Sequence, residues 1–213
     1  MRIDDLMQDF MAEVPGCPDE TARVAIVKAF RTMCDRGKVW TEWMDPVDLI
    51  DGEADYTIDT PEFASIAESV IEVWLGGQQL WPKGLGEIAM ILPNWQEARG
   101  NPMYFNSLGA ESETITLYPT PYNETRQLRV RGLYMPVRSA TTIPDEVTSI
   151  HQEVIEMGAK ATLMLQSKQP WTDVKMGEYW RQRFENKVEE LAINFGKGNA
   201  PSSDRVKPRR FGA

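Results

Sequence analysis

Two stretches with the hydrophobic period of helices, one toward each end of the chain, enclose a middle with the pattern of strands and turns. Residues 1–37 and 144–196 repeat apolar side chains every three to four positions, as amphipathic helices do. Residues 38–143 carry short apolar runs separated by turn-forming residues. We therefore predict an α+β fold: a four-helix body built from both chain ends, an antiparallel β-rich insertion, and an extended C-terminal arm over 197–213.

Start and stop signals place the helices within the two end stretches. Pro18 and Pro144 occupy first-turn positions, and each is followed by an Asp-Glu pair that suits the positive end of a helix dipole. Thr172 or Asp173 can cap the last helix, and Gly196 marks its end. With the apolar stripe near the N-terminus, these signals predict two helices in each stretch.

The middle of the chain has seven runs rich in β-branched and aromatic residues. They cover residues 38–44, 56–58, 66–75, 78–81, 103–107, 113–118 and 126–135. Gly76-Gly77 between two of these runs predicts a tight hairpin turn. A short helix is expected at 84–91, but no run is followed by a long crossover helix. The pattern therefore favours antiparallel strands over a parallel doubly wound sheet.

Charge is unevenly distributed along the chain. The formal net charge is -9, from 23 basic and 32 acidic residues. Residues 197–213 hold five basic residues and one acid, so 18 basic residues remain against 31 acidic ones elsewhere, a net charge of -13. Such an acidic body is a poor general binder of nucleic acid, whose phosphates attract Lys and Arg. The basic tail is expected to have a partner of its own.

Residue types that carry chemistry are few and scattered. His151 is the only histidine, so it has no second imidazole with which to share a metal ion. Cys17 and Cys34, seventeen positions apart on one predicted helix, would lie about 25 Å apart and are expected to be reduced thiols. Gly84-Leu85-Gly86 matches a dinucleotide-binding pattern but has no suitable strand and long helix around it. We predict no enzymatic activity, no cofactor and no metal site.

Tryptophan is abundant, with seven residues in the chain. Trp offers a large apolar area and is enriched at protein contacts, so interface packing is one interpretation. Stacking platforms for sugars on a β module are the alternative, which would make the protein a carbohydrate-binding module. A glycosidase-type carboxylate pair also stays open as a third interpretation, although no spacing places one. The predicted interface residues are Trp74, Trp81, Trp95 and Trp171.

The basic tail combines guanidinium groups with one aromatic residue. An arginine pair beside an aromatic anchor suits docking into a groove on a partner, whereas a solvated basic end is the simpler alternative. We predict a docking arm that orders on binding. Its candidate contact residues are Arg205, Lys207, Arg209, Arg210 and Phe211.

Neither a membrane nor a secretory location is indicated. No apolar run approaches the ~20 residues that span a bilayer. Met1-Arg2-Ile3-Asp4-Asp5 lacks the basic-then-apolar order of a secretory signal. We expect the protein to be made in a cytoplasm and used there or within an assembled particle.

Short landmarks follow one another in a set order over about residues 20 to 190. They are Ala29-Phe30-Arg31-Thr32-Met33-Cys34, Val39-Trp40, Asp45-Pro46-Val47-Asp48-Leu49, Val73-Trp74-Leu75-Gly76-Gly77-Gln78-Gln79-Leu80, Gly100-Asn101-Pro102-Met103-Tyr104, Leu117-Tyr118-Pro119-Thr120-Pro121, Ile143-Pro144-Asp145, Met157-Gly158-Ala159-Lys160-Ala161 and Gln169-Pro170-Trp171. Their conjunction, in this order, resembles the head-to-tail adaptor, or connector, proteins of tailed bacteriophages.

The resemblance implies a virion structural protein at the head-tail junction. Adaptors of this kind form a ring, typically of twelve copies, beneath the portal protein, and their C-terminal arm reaches into the portal. Their lower face receives tail components, either nozzle or tail-tube proteins, and viral DNA passes through the ring during ejection without sequence-specific binding. On this interpretation the acidic body would line a conduit by repelling DNA.

Overall fold

The computed structural model describes residues 1–62, 64–107 and 113–197, with the side chains of 65–69 left aside. Within those residues the fold is mixed α+β, with five α-helices, one short 3-10 helix and a curled β-sheet. The helices are α1 (Ile3–Phe10), α2 (Asp19–Gly37), α3 (Leu85–Ile91), α4 (Asp145–Met164) and α5 (Val174–Gly196), and the 3-10 turn Met11–Glu13 follows α1. The α+β class is confirmed.

The helix boundaries follow the predicted signals. Helix α2 begins directly after Pro18 and α4 directly after Pro144, each with two acids in its first turn. The Asp173 carboxylate accepts a hydrogen bond of 3.0 Å from the Met176 N–H and caps α5. Helix α2 ends where Lys38 adopts a left-handed conformation with φ 55°. Local capping therefore fixes the three helix starts as the sequence indicates, whereas a lysine in the left-handed cap of α2 is not indicated by the sequence.

The four helices from the two ends of the chain pack against one another. Helix α2 contacts α1, α4 and α5, and α4 contacts α1 and α5. The closest approach is at Gly158 of α4, where an added Cβ would lie 2.7 Å from the Ala29 Cβ and 2.8 Å from a Phe184 ring carbon. Such a distance leaves no room for any side chain at residue 158.

Ten strands lie in the described residues, and each of the seven predicted runs contains or overlaps one of them. The strands β2, β6 and β9 have two residues each, too few for a sequence pattern to indicate. The strands are β1 (Thr41–Trp43), β2 (Val47–Asp48), β3 (Asp55–Thr57), β4 (Ala64–Leu75), β5 (Gln78–Pro82), β6 (Arg99–Gly100), β7 (Tyr104–Ser107), β8 (Thr114–Tyr118), β9 (Thr120–Pro121) and β10 (Gln127–Pro136).

The main sheet is built around a long hairpin and a long return strand. Its strands lie in the order β1-β10-β4-β5-β7-β8-β3, with β2 also pairing β10. Strands β4 and β5 form the predicted hairpin, in which Leu75 pairs with Gln78 across Gly76 (φ 54°) and Gly77 (φ 91°). Two successive positive φ angles are what a tight type I′ turn requires. The hairpin prediction is confirmed.

The prediction of purely antiparallel strands is wrong for two pairs. Strand β5 pairs with β7 in parallel, with Trp81 opposite Tyr104, and β6 pairs with β9 in parallel. Parallel neighbours need a crossover of a dozen or more residues between them. Residues 83–103, which include α3, provide that crossover between β5 and β7. The short helix at 84–91 is therefore a crossover connection, a role that its length did not indicate.

A stack of aromatic rings joins the helices to the sheet. The indole of Trp40, just before β1, stacks on Phe30 of α2 with 5.9 Å between ring centroids. It also contacts Tyr134 of β10 at 6.0 Å. All three side chains are buried in one continuous hydrophobic cluster that extends into both parts. The helical part and the sheet therefore share a core at this point.

Candidate assembly surfaces

The four tryptophans predicted at interfaces occupy different environments. Trp171 is buried in the core and donates a hydrogen bond of 3.2 Å to the Gln166 side chain. Trp95 is half-buried and packs edge-on against Tyr118, with 5.6 Å between ring centroids. Trp81 is 58% exposed. The chain itself thus covers Trp171, whereas Trp81 remains open to a partner.

Strand register brings three of these tryptophans to one face of the sheet. Trp74 pairs with Gln79, and Trp81 pairs with Tyr104, which pairs in turn with Tyr118 beneath Trp95. Directly paired residues project from the same face of a sheet. Most residues that alternate with them on these strands are buried in the core, namely Val73, Leu75, Leu80, Phe105 and Leu117. Trp74, Trp81 and Trp95 therefore share the outer face, and Trp171 does not.

The crossover beside this face leaves large apolar side chains exposed. Helix α3 has the sequence Leu-Gly-Glu-Ile-Ala-Met-Ile, yet only Ile88 of it is buried, and Met90 is 86% exposed. Met103 accompanies Trp81 at the start of β7, where the Trp81 N–H donates to the Met103 carbonyl at 3.0 Å. We use the name crossover patch for the large exposed apolar residues of the crossover and its two ends: Trp81, Leu85, Met90, Ile91 and Met103.

Exposed apolar clusters of this kind mark interaction sites, and methionine suits surfaces that adapt to a partner. A helix that is apolar on most of its faces is normally buried. That signal was present in the sequence of α3, but a short run of this composition does not by itself distinguish a core helix from a contact helix. In the structure Met90 lies in solvent, so α3 is not a core helix.

A second cluster on the outer face combines arginines with aromatic rings. The guanidinium carbons of Arg129 and Arg131 lie 5.2 Å and 5.9 Å from the Trp43 ring centroid. Arg131 also donates to Glu72 at 3.1 Å and lies 6.0 Å from the ring of Phe195 in the last turn of α5. This contact ties the C-terminal end of α5, and hence the start of the basic tail, to the sheet.

The loop before β10 is organised by a tight ion pair. The Glu124 carboxylate accepts hydrogen bonds from the Arg126 guanidinium, one of them 2.8 Å from Nε, and from the backbone N–H groups of Thr125 and Arg126. These bonds, chiefly those from the Arg126 side chain, lower the pKa of Glu124 to about 2. Arg126 also donates to Gln78 at 3.2 Å and lies against Gly76, where a Cβ would be 2.5 Å from its side chain. The pair thus holds the loop against the β4–β5 turn.

A cationic groove lies between α2 and the end of β10. Its volume is about 680 Å³. The Arg31 side chain donates to the Pro136 carbonyl across it, while Lys28 and Arg138 are exposed and form no ion pair within the described residues. We call it the α2 groove, and its lining includes Val24, Val27, Lys28, Arg31, Asp35, Met135 and Arg138. Such a groove is conspicuous in a protein whose net charge is -9.

The residue types considered for catalysis do not assemble in the described part of the chain. No group of three or more His, Cys, Asp or Glu side chains among those residues is placed to hold a metal ion. Cys17 and Cys34 are free and buried at opposite ends of α2, and burial raises the pKa of the Cys34 thiol well above its usual value. His151 is half-buried, and loss of hydration lowers its pKa.

The arm residues Arg205, Lys207, Arg209, Arg210 and Phe211 lie outside the described residues, which end at Lys197 just after α5. Among the helices that are described, none is long and apolar enough to cross a bilayer.

Comparison with known protein families gives a match that covers almost the entire chain. The family model described as SU10 adaptor protein matches residues 1–208. Both parts of the fold, the crossover patch and the α2 groove lie within the matched residues, as do Arg205 and Lys207 of the tail. No curated protein matches the chain.

Proposed function

We propose, because the chain belongs to the SU10 adaptor protein family of phage head-to-tail adaptors, that it forms a ring beneath the portal and joins the capsid to the tail. The observation that carries this proposal is the family match over residues 1–208. The protein is then a structural component of the virion without enzymatic activity or cofactor.

The ring consists of many copies, twelve in this proposal, and each copy contributes one four-helix body. Contacts that are weak in a single pair add up when they repeat around a closed ring and on a symmetric partner. Tight packing between α2 and α4 supports the adaptor role, because a helical body that transmits force between capsid and tail must hold its shape.

The basic tail is the portal-docking arm. Arg205, Lys207, Arg209 and Arg210 supply charge, and Phe211 supplies an aromatic anchor for a groove on the portal. The contact between Phe195 and Arg131 supports this assignment, because it fixes the point on the body from which the arm departs. A fixed origin increases the effective concentration of each arm at its groove.

The crossover patch is the surface that receives the tail protein, a nozzle or tail-tube component. Trp81 and Met90 are the anchors, since large exposed apolar side chains provide most of the energy of a contact. DNA passes through the ring without adhering, because the body outside the tail carries a net charge of -13 that repels phosphate.

Carbohydrate binding by the outer face is the alternative function, and the exposed ring of Trp81 is the observation that favours it. Sugar sites combine an aromatic platform with polar groups that hydrogen-bond the hydroxyls. The Trp81 N–H, however, bonds the carbonyl of the exposed Met103, and the crossover that follows Trp81 exposes Leu85, Met90 and Ile91. That apolar surrounding suits a protein partner better. A shift in tryptophan fluorescence on adding oligosaccharide would favour the alternative.

The test is co-sedimentation with the portal of the same virus, using the full chain and a chain that ends at Gly196. The full chain is expected to sediment with the portal, and removal of residues 197–213 is expected to abolish the binding. Binding that survives truncation would overturn the role of the arm. If the full chain also fails to sediment with the portal, the adaptor function itself is overturned.

A further inference from the structure

One face of α4 carries acids that nothing else in the described chain neutralises. Glu146, Ser149, Ile150 and Glu153 are spaced i, i+3, i+4 and i+7 and all four are exposed, so they form one face of the helix. Ile150 is 74% exposed between the two acids. Glu146 and Glu153 form no ion pair with any side chain that the structure describes. We call this face the α4 ridge.

The α2 groove has the complementary properties. Lys28 and Arg138 at its edges are equally without an acidic partner in the described residues, and Arg31 adds a third cation. Val24, which is 56% exposed, and Met135 give the groove an apolar surface. An occupant must therefore present carboxylates on both sides of an apolar side chain.

The two surfaces also agree in length. Glu146 and Glu153 are seven residues apart, about 10 Å along the α4 axis. Val24 and Arg31, which both line the groove, are also seven residues apart on α2, so this part of the groove has the same length. Asp35 lies one turn beyond Arg31 and lines the same groove. Its carboxylate would repel an acidic ridge displaced by one turn and so fixes a single register.

The ridge and the groove share no residue, so one copy can contact two neighbours at once, one through each surface. A contact between different surfaces on two copies is head-to-tail, and it closes into a ring when the rotation per copy permits. We infer that the α4 ridge of each copy sits in the α2 groove of the next, with Ile150 against Val24 and Met135 and with Glu146 and Glu153 beside the cations. This contact rests on the proposed ring and assigns the surfaces that hold it together.

Charge reversal on each side tests the contact. A groove variant, Lys28→Glu with Arg138→Glu, places acids opposite the acidic ridge. A ridge variant, Glu146→Lys with Glu153→Lys, places cations opposite the cationic groove. Each variant alone is expected to raise the concentration at half-maximal ring assembly by about 30-fold or more, because like charges face each other in every contact. All four positions are exposed, and a single cooperative thermal unfolding transition would verify that each variant folds.

An equimolar mixture of the two variants provides the decisive arm of the experiment. In alternating rings each reversed groove meets a reversed ridge, and each original groove meets an original ridge, so opposite charges face each other again. The mixture is therefore expected to assemble within about threefold of the original chain, in rings with an even number of copies. A chain carrying all four changes is expected to assemble alone for the same reason.

The matched control is Lys175→Glu with Lys168→Glu. Both lysines are exposed and lie outside the groove, and the two substitutions change the net charge by the same amount as the groove variant does. If the original chain forms rings and the groove variant forms them at the same concentration, this contact is wrong although the adaptor function stands. If the groove variant loses DNA binding but still assembles into rings, the groove binds nucleic acid and the proposed contact between ridge and groove is also wrong. If the original chain forms no ring with or without portal, both proposals fall.

Discussion

The helical part buries most of its apolar side chains, whereas the crossover between β5 and β7 leaves most of its large apolar side chains exposed. Helices α2 and α4 approach so closely that residue 158 has to be glycine, and the apolar stripe of α1 is buried. Helix α3 lies between two strands of the sheet and leaves Leu85, Met90 and Ile91 in solvent. Both segments are helical and both are rich in apolar residues, so composition does not distinguish them.

In the helical part, buried apolar area stabilises the fold. In the crossover patch, exposed apolar area remains available for a partner. Core substitutions change the free energy of unfolding by several kcal/mol, whereas exposed substitutions change it little. The two regions should therefore respond differently to the same kind of substitution. The helical part should lose stability, and the crossover patch should lose binding.

Gly158→Val should have the largest effect on folding. The added side chain would overlap Ala29 and Phe184, and the free energy of unfolding is expected to fall by about 3 kcal/mol. Gly86→Val in α3 is the matched control, because nothing lies within 4 Å of a Cβ there, and it should change stability by less than about 0.5 kcal/mol. Urea denaturation measures both. Equal losses at the two positions would remove the distinction between the two regions.

Lys160→Ala should have the next largest effect. Lys160 is buried in α4, forms an ion pair of 2.5 Å with Glu13 and lies 4.9 Å from the Trp180 ring centroid. Removing it is expected to cost about 2 kcal/mol, partly through lost packing of its alkyl chain. Lys175→Ala, at an exposed position, is the control and should be near neutral. A double-mutant cycle with Glu13→Gln measures the ion pair itself, and no coupling would show that packing alone matters.

Glu124→Gln should produce a smaller effect that depends on pH. The pKa of Glu124 is lowered from its ordinary value of 4.5 to about 2 in the folded chain, so its stabilisation is present above pH 4.5 and disappears as the pH falls toward 2. The pair is close to solvent, so the difference from the original chain should be about 1 kcal/mol at pH 6 and vanish near pH 2.

Urea unfolding midpoints of the variant and the original chain at pH 6, 4 and 2.5 would measure this difference in stability. Glu97→Gln is the control, because no ion pair of the described residues involves Glu97 and its side chain is exposed. A difference for Glu124→Gln that stays constant down to pH 2.5 would contradict the pKa assigned to that carboxyl group.

Met90→Ser should have the smallest effect on folding and a large one on assembly. Because Met90 is 86% exposed, stability should change by less than about 0.5 kcal/mol. Binding of adaptor rings to the tail protein should weaken by about tenfold or more for each ring contact site. Titration of rings with tail protein measures this. If the substitution lowers the free energy of unfolding but leaves binding unchanged, Met90 stabilises the fold and is not part of the contact surface.

The sequence predicts local features well because they have local causes. Pro18, Pro144 and the Asp173 cap place three helix starts, and Gly76-Gly77 fixes a hairpin. The parallel pairing of β5 with β7 is missed because strand partners are chosen by the whole sheet. Helix α3, at seven residues, is also shorter than the crossovers from which parallel pairing is usually inferred.

The functional surfaces are only partly predictable for a related reason. Residue type marks a tryptophan as suitable for a contact, but its exposure depends on what the fold places over it. Trp81 remains open, while Trp171 is covered and bonded to Gln166. The α2 groove combines residues more than one hundred positions apart, such as Lys28 and Arg138, so no sequence window contains it.

The most direct test of the adaptor function is the mass of the complex formed when the full chain is mixed with assembled portal of the same virus. The expected result is one discrete species whose added mass is a whole ring, twelve copies of the 24.2 kDa chain, with no intermediate populations at saturation. A portal whose mass is unchanged, or one that takes up copies singly without completing a ring, would contradict the function proposed for this protein.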